Sequence, residues 1–497
     1  MKLHICGDIN QYYVQTLCMI FFPGEKFSEK TEDSENEPEL NLSLEDLDGC
    51  FKVCAELSLN EKYSSCEKIY PPRDDVTHDR LRKIAVGDAV LSVCGDVVGY
   101  RPSWGMLVGV RPSKVATELF SQGLTKTKVK KALVNDYFVI PKKAALATEV
   151  AINEAEFVSK ADRKACSVYI SIPFCPTRCA YCSFVSYTSK KLLATIPDYL
   201  VALGEEIKAT FDSVRSLGLD VKTIYIGGGT PTILDEKQLE WLLSTVSLNF
   251  DVSTLEEYTL EAGRPDTINE AKMKIASAYG VTRISVNPQT LNDDVLRVIG
   301  RSHTADDFLR AYDIARSSGD FIINTDVIAG LPSDDFSSFS SSFDKIVALR
   351  PENITVHTFS VKKASDALKN FSHVYSIRGG DVGKCVDYSQ IRSMHEGYVP
   401  YYMYRQKNTV GNYENVGLAL DGKKGYYNIY MMEEIHSIFA CGAGAVSKFV
   451  DFSPQNGEKR VIERFFNQKY PYEYLSENKT EAKLAAAREF YERRGLI

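Results

Sequence analysis

The middle of the chain alternates short apolar segments with longer amphipathic ones. Six runs rich in β-branched residues predict strands, and stretches with apolar residues at helical spacing separate them. The predicted strands are 167–172, 221–228, 257–262, 283–288, 321–330 and 353–360. The predicted helices between them include 194–217, 236–247, 268–279, 306–318 and 336–349. This order indicates right-handed βαβ units, so we expect an α/β fold whose parallel sheet is a partial (β/α)6 barrel.

The pattern changes on both sides of this region, which predicts three domains. An N-terminal α/β module is expected at 1–160, with an acidic stretch at 25–48 that predicts a solvated loop. The barrel is expected at 161–375, and a C-terminal α+β extension that covers the substrate at 376–497. Within this extension, the small residues of 439–447 predict a flexible turn.

Composition narrows the class of protein. Of 497 residues, 44% are hydrophobic and 25% charged, which excludes a wholly disordered, collagenous or coiled-coil chain. The net charge of −7 argues against non-specific nucleic-acid binding. Apolar runs stay below the roughly 18 residues that span a bilayer, and the N-terminus lacks a leader pattern. We therefore expect a cytoplasmic protein, whose 12 cysteines need not form disulfides.

Three of the cysteines lie in one loop after the first predicted strand. The sequence PFCPTRCAYCSF places Cys175, Cys179 and Cys182 at C-x3-C-x2-C spacing, so their thiolates can turn toward one centre. A [4Fe–4S] cluster normally takes four thiolates, and three would leave one iron open to a small molecule. A zinc knuckle or three core cysteines are the alternatives, but zinc requires a fourth ligand and none follows in this loop.

Polar residues also stand where the next four predicted strands end. The second strand ends in GGGTPT (227–232), whose glycines let the backbone approach a ligand closely. Taken singly, each polar residue after the later strands could instead form a salt bridge at the rim of the sheet or be a solvated side chain. Because all of them belong at the same edge of the sheet, together they predict a ligand site. These residues are Glu261, Gln289, Arg301 and Asp326.

The cysteine loop in this context resembles the radical S-adenosylmethionine (SAM) superfamily. In that family the open iron holds the amino and carboxylate groups of SAM, and the reduced cluster cleaves SAM to a 5′-deoxyadenosyl radical. YISIPFC, GGGTPT, RISVNPQTLNDDVLRVIGRSHT and NTDVIAGLP resemble the oxygen-independent coproporphyrinogen III oxidase group. WGMLVGVRPSK, TVHTFSVKKAS, YYMYRQKNTVGNYENVG and CGAGAVSK resemble its clostridial and bacillar branch, called coproporphyrinogen dehydrogenase.

The resemblance implies cofactors, site residues and an activity. It implies a [4Fe–4S] cluster on the three loop cysteines and bound SAM. Coproporphyrinogen III would be decarboxylated oxidatively to vinyl products, with electrons from a low-potential donor such as a flavodoxin or ferredoxin. Carried over position by position, the SAM contacts are Tyr169, Gly228, Gly229, Thr230, Glu261, Gln289, Arg301 and Asp326. By their chemistry, Glu261 is expected to hold the ammonium group of SAM and Arg301 its carboxylate. Gln289 and Asp326 are expected to accept from ribose hydroxyls.

Two positions depart from the oxidase pattern, which has a cysteine where this chain has Phe184 and a histidine where it has Ser171. Relatives that act as heme chaperones also carry Phe at the first of these positions. Three hypotheses therefore stay open: the decarboxylase, a heme-binding chaperone that keeps the cluster and SAM, and a radical enzyme acting on another tetrapyrrole or transferring methyl groups.

Residues that would contact a tetrapyrrole have plain alternatives. Four basic residues could pair with its propionates, but they are also typical of a solvated basic loop. They are Lys362, Lys363, Arg405 and Lys407. Aromatic residues that could lie along its plane are also typical of core packing, and these are Tyr398, Tyr401, Tyr402 and Tyr404. His357, at a strand end, is a candidate proton carrier or heme ligand, and the plain alternative is a histidine hydrogen-bonded within the barrel. Cys441 is expected to be a buried structural thiol.

Overall fold

The structure is a computed structural model that forms two compact units. It describes residues 1–27, 37–109, 111–182, 184, 186–360, 380–406, 409–453, 460–477 and 479–497. The described residues of the first unit are 1–27, 37–109, 111–152, 380–383, 403–406 and 409–414, and the others belong to the second. The expected three-domain division stays a prediction.

The first unit contains a four-stranded sheet in the order β1-β2-β3-β4, covered on one face by helices. Its strands are Lys2–Cys6 (β1), Glu39–Leu47 (β2), Cys50–Leu59 (β3) and Lys62–Tyr70 (β4). The helices in this part of the chain are Gln11–Phe21 (α1), His78–Val98 (α2), Ser113–Ser121 (α3), Lys126–Asn135 (α4) and Pro141–Ser159 (α5).

The expectation of a solvated loop at 25–48 is wrong for its second part, which forms β2. Leu40, Leu42 and Leu44 alternate with polar residues, and all three side chains are buried. This period of two is the signature of a half-buried strand, and the acidic composition around it concealed the pattern. Residues 28–36 of the same stretch lie outside the described residues.

The second unit is built on an eleven-stranded sheet, in the order β11-β12-β10-β9-β8-β7-β6-β5-β13-β14-β15. The six predicted strands form its parallel centre: Ala165–Ile172 (β5), Asp220–Gly228 (β6), Glu257–Glu261 (β7), Arg283–Ser285 (β8), Ile322–Ala329 (β9) and Asn353–Thr358 (β10). The helices between them are Lys190–Leu193 (α6), Ile196–Ser216 (α7), Glu236–Asn249 (α8), Glu270–Ala278 (α9), Asp293–Val298 (α10), Ala305–Ser318 (α11) and Phe336–Ala348 (α12). The predicted α/β class is confirmed.

The later strands extend both edges of this sheet. They are Val399–Tyr404 (β11), Asn415–Ala419 (β12), Ser437–Cys441 (β13), Val446–Asp451 (β14) and Val461–Phe466 (β15). The accompanying helices are Val382–His395 (α13), Tyr426–Glu433 (α14), Pro471–Ser476 (α15) and Thr480–Arg493 (α16). The expectation of a turn at 439–447 is wrong for its two ends, because 439–441 belong to β13, which pairs in parallel with β5, and 446–447 belong to β14. Residues 442–445 form the turn between these two strands. Among the described helices, none is long and apolar enough to cross a bilayer.

The two faces of the parallel sheet differ in chemistry. One face is apolar and buried, as Ile170, Ile226 and Leu260 illustrate. Alternate residues on the other face are polar and in register: Thr223 beside Glu257, Glu261 beside Ser285, and Asp326 beside Thr355. Parallel sheets usually present apolar side chains on both faces. We therefore infer that the polar face surrounds a ligand space.

A buried ion pair attaches the C-terminal elements to the sheet. Lys483 Nζ on α16 lies 2.5 Å from Glu206 Oε1 on α7, and both side chains are buried. Glu206 also accepts hydrogen bonds from the backbone N–H of Gly442 at 2.7 Å and from the hydroxyl of Tyr474 at 2.6 Å. Burial opposes ionisation of Glu206, but the Lys483 charge and these hydrogen bonds hold its pKa below the ordinary value.

Replacing Lys483 with Met should destabilise the protein by about 3–5 kcal/mol, because a buried carboxylate loses its counter-charge. The free energy of unfolding is measured by denaturant titration. The matched control is Arg488→Met on the same helix, where the Arg488–Glu492 pair is largely exposed. This control should cost under about 1 kcal/mol. Equal losses in the two variants would contradict the assigned role of the buried pair.

Candidate functional site

The three loop cysteines follow β5 and lie near one another. Cys175 and Cys179 are 8% and 9% exposed, and Cys182 is partly buried. Burial raises the pKa of the Cys175 thiol, and the neighbouring Cys182 and Cys179 raise it further. Within the described residues, no three His, Cys, Asp or Glu side chains are already arranged as a metal-ligand group. The three thiols thus share one loop without forming a closed ligand set.

The glycine-rich turn after β6 packs directly against this loop. A Cβ atom on Gly229 would lie 2.5 Å from the carbonyl oxygen of Phe174 and 3.0 Å from Cys175 Sγ, so only glycine fits. Gly228 has a φ of +111°, a conformation that side chains rarely adopt. Thr230 Oγ1 lies 3.2 Å from Cys175 Sγ, at hydrogen-bond distance. Gly229 and Thr230 therefore contact the cysteine loop, and Gly228 lies against Ser171 and Ile172 at the end of β5.

Two carboxylates lie on the polar face of the sheet, Glu261 at the end of β7 and Asp326 within β9. Burial raises the pKa of Glu261 to about 7, and the negative charge of Asp326 adds to this shift. Tyr225 donates a hydrogen bond to Glu261, and His357 Nε2 lies 3.5 Å from Asp326 Oδ2. A cation beside a carboxyl group favours the ionised form of that group. Binding of an ammonium group by Glu261 and binding of a ribose hydroxyl by Asp326 both stay predictions.

Three stacked tyrosines lie beside the carboxylates. The ring centroids of Tyr225 and Tyr427 are 4.6 Å apart, and Tyr169 lies 6.0 Å from Tyr225. Helix α14 brings Tyr427 into the stack because Glu257, on the polar face of β7, accepts hydrogen bonds from its first backbone N–H groups. The distances are 2.9 Å for Tyr426 and 3.2 Å for Tyr427. A carboxylate at the N-terminus of a helix is stabilised by the helix dipole, so Glu257 holds α14 in place beside the tyrosine stack.

Gln289 combines an unusual backbone with an unsatisfied side chain. Its φ is +68°, and its backbone is held between the carbonyl oxygen of Asp326 at 3.1 Å and the N–H of Ile328 at 3.0 Å. The side-chain Oε1 is buried and has no hydrogen-bond partner among the described residues. Strained residues of this kind cluster at ligand sites. The orphaned amide oxygen fits a hydroxyl donor, as the sequence predicted for a ribose.

Arg301 is placed beside the cysteine loop, where its hydrogen bonds go to protein groups. Nη2 donates to the Tyr181 hydroxyl at 2.9 Å, and Nη1 donates to the carbonyl oxygens of Gly263 at 3.0 Å and Asn287 at 3.3 Å. Tyr181 stands between the second and third cysteines, so Arg301 braces the loop. Its predicted pairing with the carboxylate of SAM stays a prediction.

The described residues proposed for a tetrapyrrole make contacts typical of protein packing. Arg405 belongs to the first unit, where it is buried and donates to Leu107 O and Asn412 Oδ1. Its burial lowers its pKa to about 10. The interpretation of core packing is correct for the three buried tyrosines, which are Tyr398, Tyr401 and Tyr402. Lys362, Lys363 and Lys407 lie outside the described residues.

Sequence reasoning missed several residues of the site. Tyr225 stands two positions before Gly227 on the same face of β6, so period-two alternation could have found it. A Cβ atom on Gly227 would lie 2.9 Å from the Tyr225 ring, so a larger residue at this position would clash with the stacked tyrosines. Arg264 contacts Cys179, and Tyr427 enters from a distant helix. No local signal marks these last two residues, because only the fold brings them to the site.

Comparisons with known proteins show which proteins this chain is similar to. Residues 169–346 match the family described as the Radical SAM superfamily. The chain is 36% identical over 401 residues to the oxygen-independent coproporphyrinogen-III oxidase-like protein HemZ of Bacillus subtilis, covering 80% of this chain and 79% of HemZ. It is 36% identical over 198 residues to the heme chaperone HemW of the same organism, covering 39% of this chain and 51% of HemW. The solved coproporphyrinogen III oxidase HemN of Escherichia coli aligns with 67% of this chain and 73% of its own, at 19% identity and a TM-score of 0.49.

The titration of Glu261 tests the electrostatics of the site. Asp326→Asn should lower the pKa of Glu261 because a like charge is removed, whereas Tyr225→Phe should raise it because a hydrogen-bond donor to the carboxylate is lost. Both shifts can be followed by infrared spectroscopy of the carboxyl band. Since burial raises this pKa from 4.5 to about 7, wild type should also lose stability relative to Glu261→Gln as pH rises across that interval. If the pKa of Glu261 were the same in both variants as in wild type, the assigned contacts with Asp326 and Tyr225 would be contradicted.

Proposed function

The chain belongs to the radical SAM superfamily, in the oxygen-independent coproporphyrinogen-III oxidase-like group, and on this premise we propose that it converts propionates of coproporphyrinogen III to vinyl groups. The family uses a [4Fe–4S] cluster and SAM. Together they supply one-electron chemistry able to remove hydrogen from an unactivated carbon. The relative HemZ, named as coproporphyrinogen-III oxidase-like, supports the choice of substrate.

Cys175, Cys179 and Cys182 would hold the cluster. Thiolates are the ligands that iron–sulfur clusters take, and the three lie in one loop at the end of a parallel strand. The loop is braced from two sides, by Thr230 against Cys175 and by Arg301 against Tyr181. These contacts keep the loop in place while a cluster is bound.

The carboxylate pair of Glu261, at the end of β7, and Asp326, within β9, is the observation that carries the proposal. Glu261 and Asp326 provide negative charge for the ammonium group of SAM, and Glu261 can be ionised at neutral pH because its pKa is about 7. The buried Oε1 of Gln289 can accept a hydrogen bond from a ribose hydroxyl. The Tyr169–Tyr225–Tyr427 stack closes the space below them and keeps water from the reacting groups.

The proposal includes a setting for the reaction. A radical SAM enzyme needs single electrons at low potential, so we propose a flavodoxin or ferredoxin as the donor. The oxygen sensitivity of an open cluster is consistent with the cytoplasmic location that we propose. Binding of nucleic acid is not part of the proposed function.

Heme binding without turnover is the second candidate, and Phe184 favours it. This side chain is 70% exposed beside the cysteine loop, at a position where the oxidases have a further cysteine. An exposed aromatic ring can stack on a flat tetrapyrrole. The match to the heme chaperone HemW supports the same candidate, although it covers only about half of that protein.

Anaerobic turnover distinguishes the two candidates. The protein is reconstituted with iron and sulfide, reduced, and given SAM with or without coproporphyrinogen III. We expect 5′-deoxyadenosine that depends on the porphyrinogen, together with mono- and divinyl products, measured by chromatography. Heme bound at one equivalent, with no porphyrinogen-dependent deoxyadenosine, would overturn the decarboxylase in favour of the chaperone.

The cluster ligands are tested by removing one thiol. Cys179→Ala should lose nearly all cluster iron and all SAM cleavage, because two thiolates cannot hold the cluster at this loop. Cys441→Ala is the matched control. Cys441 lies buried in β13, where its Sγ donates a hydrogen bond to Thr210 Oγ1 at 3.4 Å. This control should keep its full iron content. Equal iron in both variants would contradict the assigned ligands.

A further inference from the structure

Arg264 is a buried arginine just beyond the end of β7, and neither the ligand set nor the SAM contacts include it. It is 3% exposed. Its Nε and Nη2 atoms lie 3.0 and 3.1 Å from the two carboxylate oxygens of Asp266. A two-point pair of this kind fixes the plane of the guanidinium group. The remaining N–H groups therefore point in a defined direction.

That direction is the cysteine loop. Nη2 donates to Thr177 Oγ1 at 3.0 Å, and Nη1 donates to Cys179 Sγ at 3.6 Å, a distance at which the large sulfur atom accepts a hydrogen bond. Nη1 also approaches the carbonyl oxygen of Thr177 at 3.5 Å. Arg264 thus places a permanent positive charge and an N–H donor against one of the three predicted cluster thiolates.

We propose that Arg264 sets the reduction potential of the cluster through this contact with Cys179. The inference rests on the proposed function, because it requires a cluster on the three cysteines. Reduction adds one electron and one negative charge to the cluster. A buried cation and an N–H···S hydrogen bond stabilise that added charge, so Arg264 raises the potential and makes the first electron easier to deliver.

The other groups around the loop act on it differently from Arg264. Thr230 contacts Cys175 through a neutral hydroxyl, which stabilises added charge less than a guanidinium does. Arg301 and Arg178 are cationic, and their charges act through space on Cys179 and Cys182 respectively. Arg264 combines its charge with an N–H donor at hydrogen-bond distance from Cys179 Sγ.

The test is a redox titration of the reconstituted full-length protein, with dithionite as reductant and the reduced cluster quantified by electron paramagnetic resonance. In Arg264→Gln we expect the ratio of reduced to oxidised cluster at a fixed potential to fall about tenfold, which equals 59 mV for one electron. Arg264→Lys keeps the charge but loses the planar fork, so its ratio should fall by less. The matched control is Arg316→Gln, which breaks a two-point pair with Glu352 at the opposite end of the strands. This control should titrate like wild type.

Each outcome decides a separate claim. A wild-type ratio in Arg264→Gln, at full iron and sulfide content, would overturn the tuning role and leave the proposed function intact. Failure of the wild-type protein to bind a cluster would refute the proposed function itself. If Arg264→Gln takes up no iron, Arg264→Lys decides: a lowered ratio supports the proposal and a wild-type ratio overturns it.

Discussion

The polar inner face of a parallel sheet is the constraint on which the rest of this structure depends. Polar groups that leave water must be paired, and charged groups must be neutralised. At the lower level of the sheet, Arg283 satisfies this demand by binding Glu257 at 2.9 Å and Asn324 at 2.7 Å. At the upper level, hydroxyl groups donate to Glu261, and His357 lies beside Asp326. The lower level stabilises the fold, and we propose that the upper level receives the ammonium group of SAM.

The cysteine loop is held in position by elements from distant parts of the chain. Just before the loop, the hydroxyl of Ser171 donates to the carbonyl oxygen of Ala443 at 3.0 Å. The backbone carbonyl oxygen of Ser171 accepts from the Tyr199 hydroxyl at 2.7 Å. The strand that leads into the loop is thereby joined to the turn between β13 and β14. Ser171 departs from the oxidase pattern, and here it has a structural use. The same turn receives the buried charge of Glu206, so the C-terminal helices support the site indirectly.

Features that have a local signal could be predicted from the sequence, whereas contacts made by tertiary packing could not. The six central strands follow from apolar periodicity, which is a local signal. The glycine turn at 227–230 is also local, because only glycine permits the contact of Gly229 with Cys175. The contact of Arg264 with Cys179 and the insertion of Tyr427 depend on tertiary packing, so no sequence window contains them. The strand at 39–47 was hidden by acidic residues on its exposed face, although Leu40, Leu42 and Leu44 carry its pattern.

The central claim is that the polar face with Glu261 and Asp326 is a binding site for SAM. Isothermal titration calorimetry of SAM into the reconstituted, cluster-loaded protein tests it most directly. We expect wild type to bind one SAM per cluster, and Glu261→Gln and Asp326→Asn each to weaken binding at least about tenfold, which is 1.4 kcal/mol. Wild-type affinity in both variants, at full cluster content, would contradict the account.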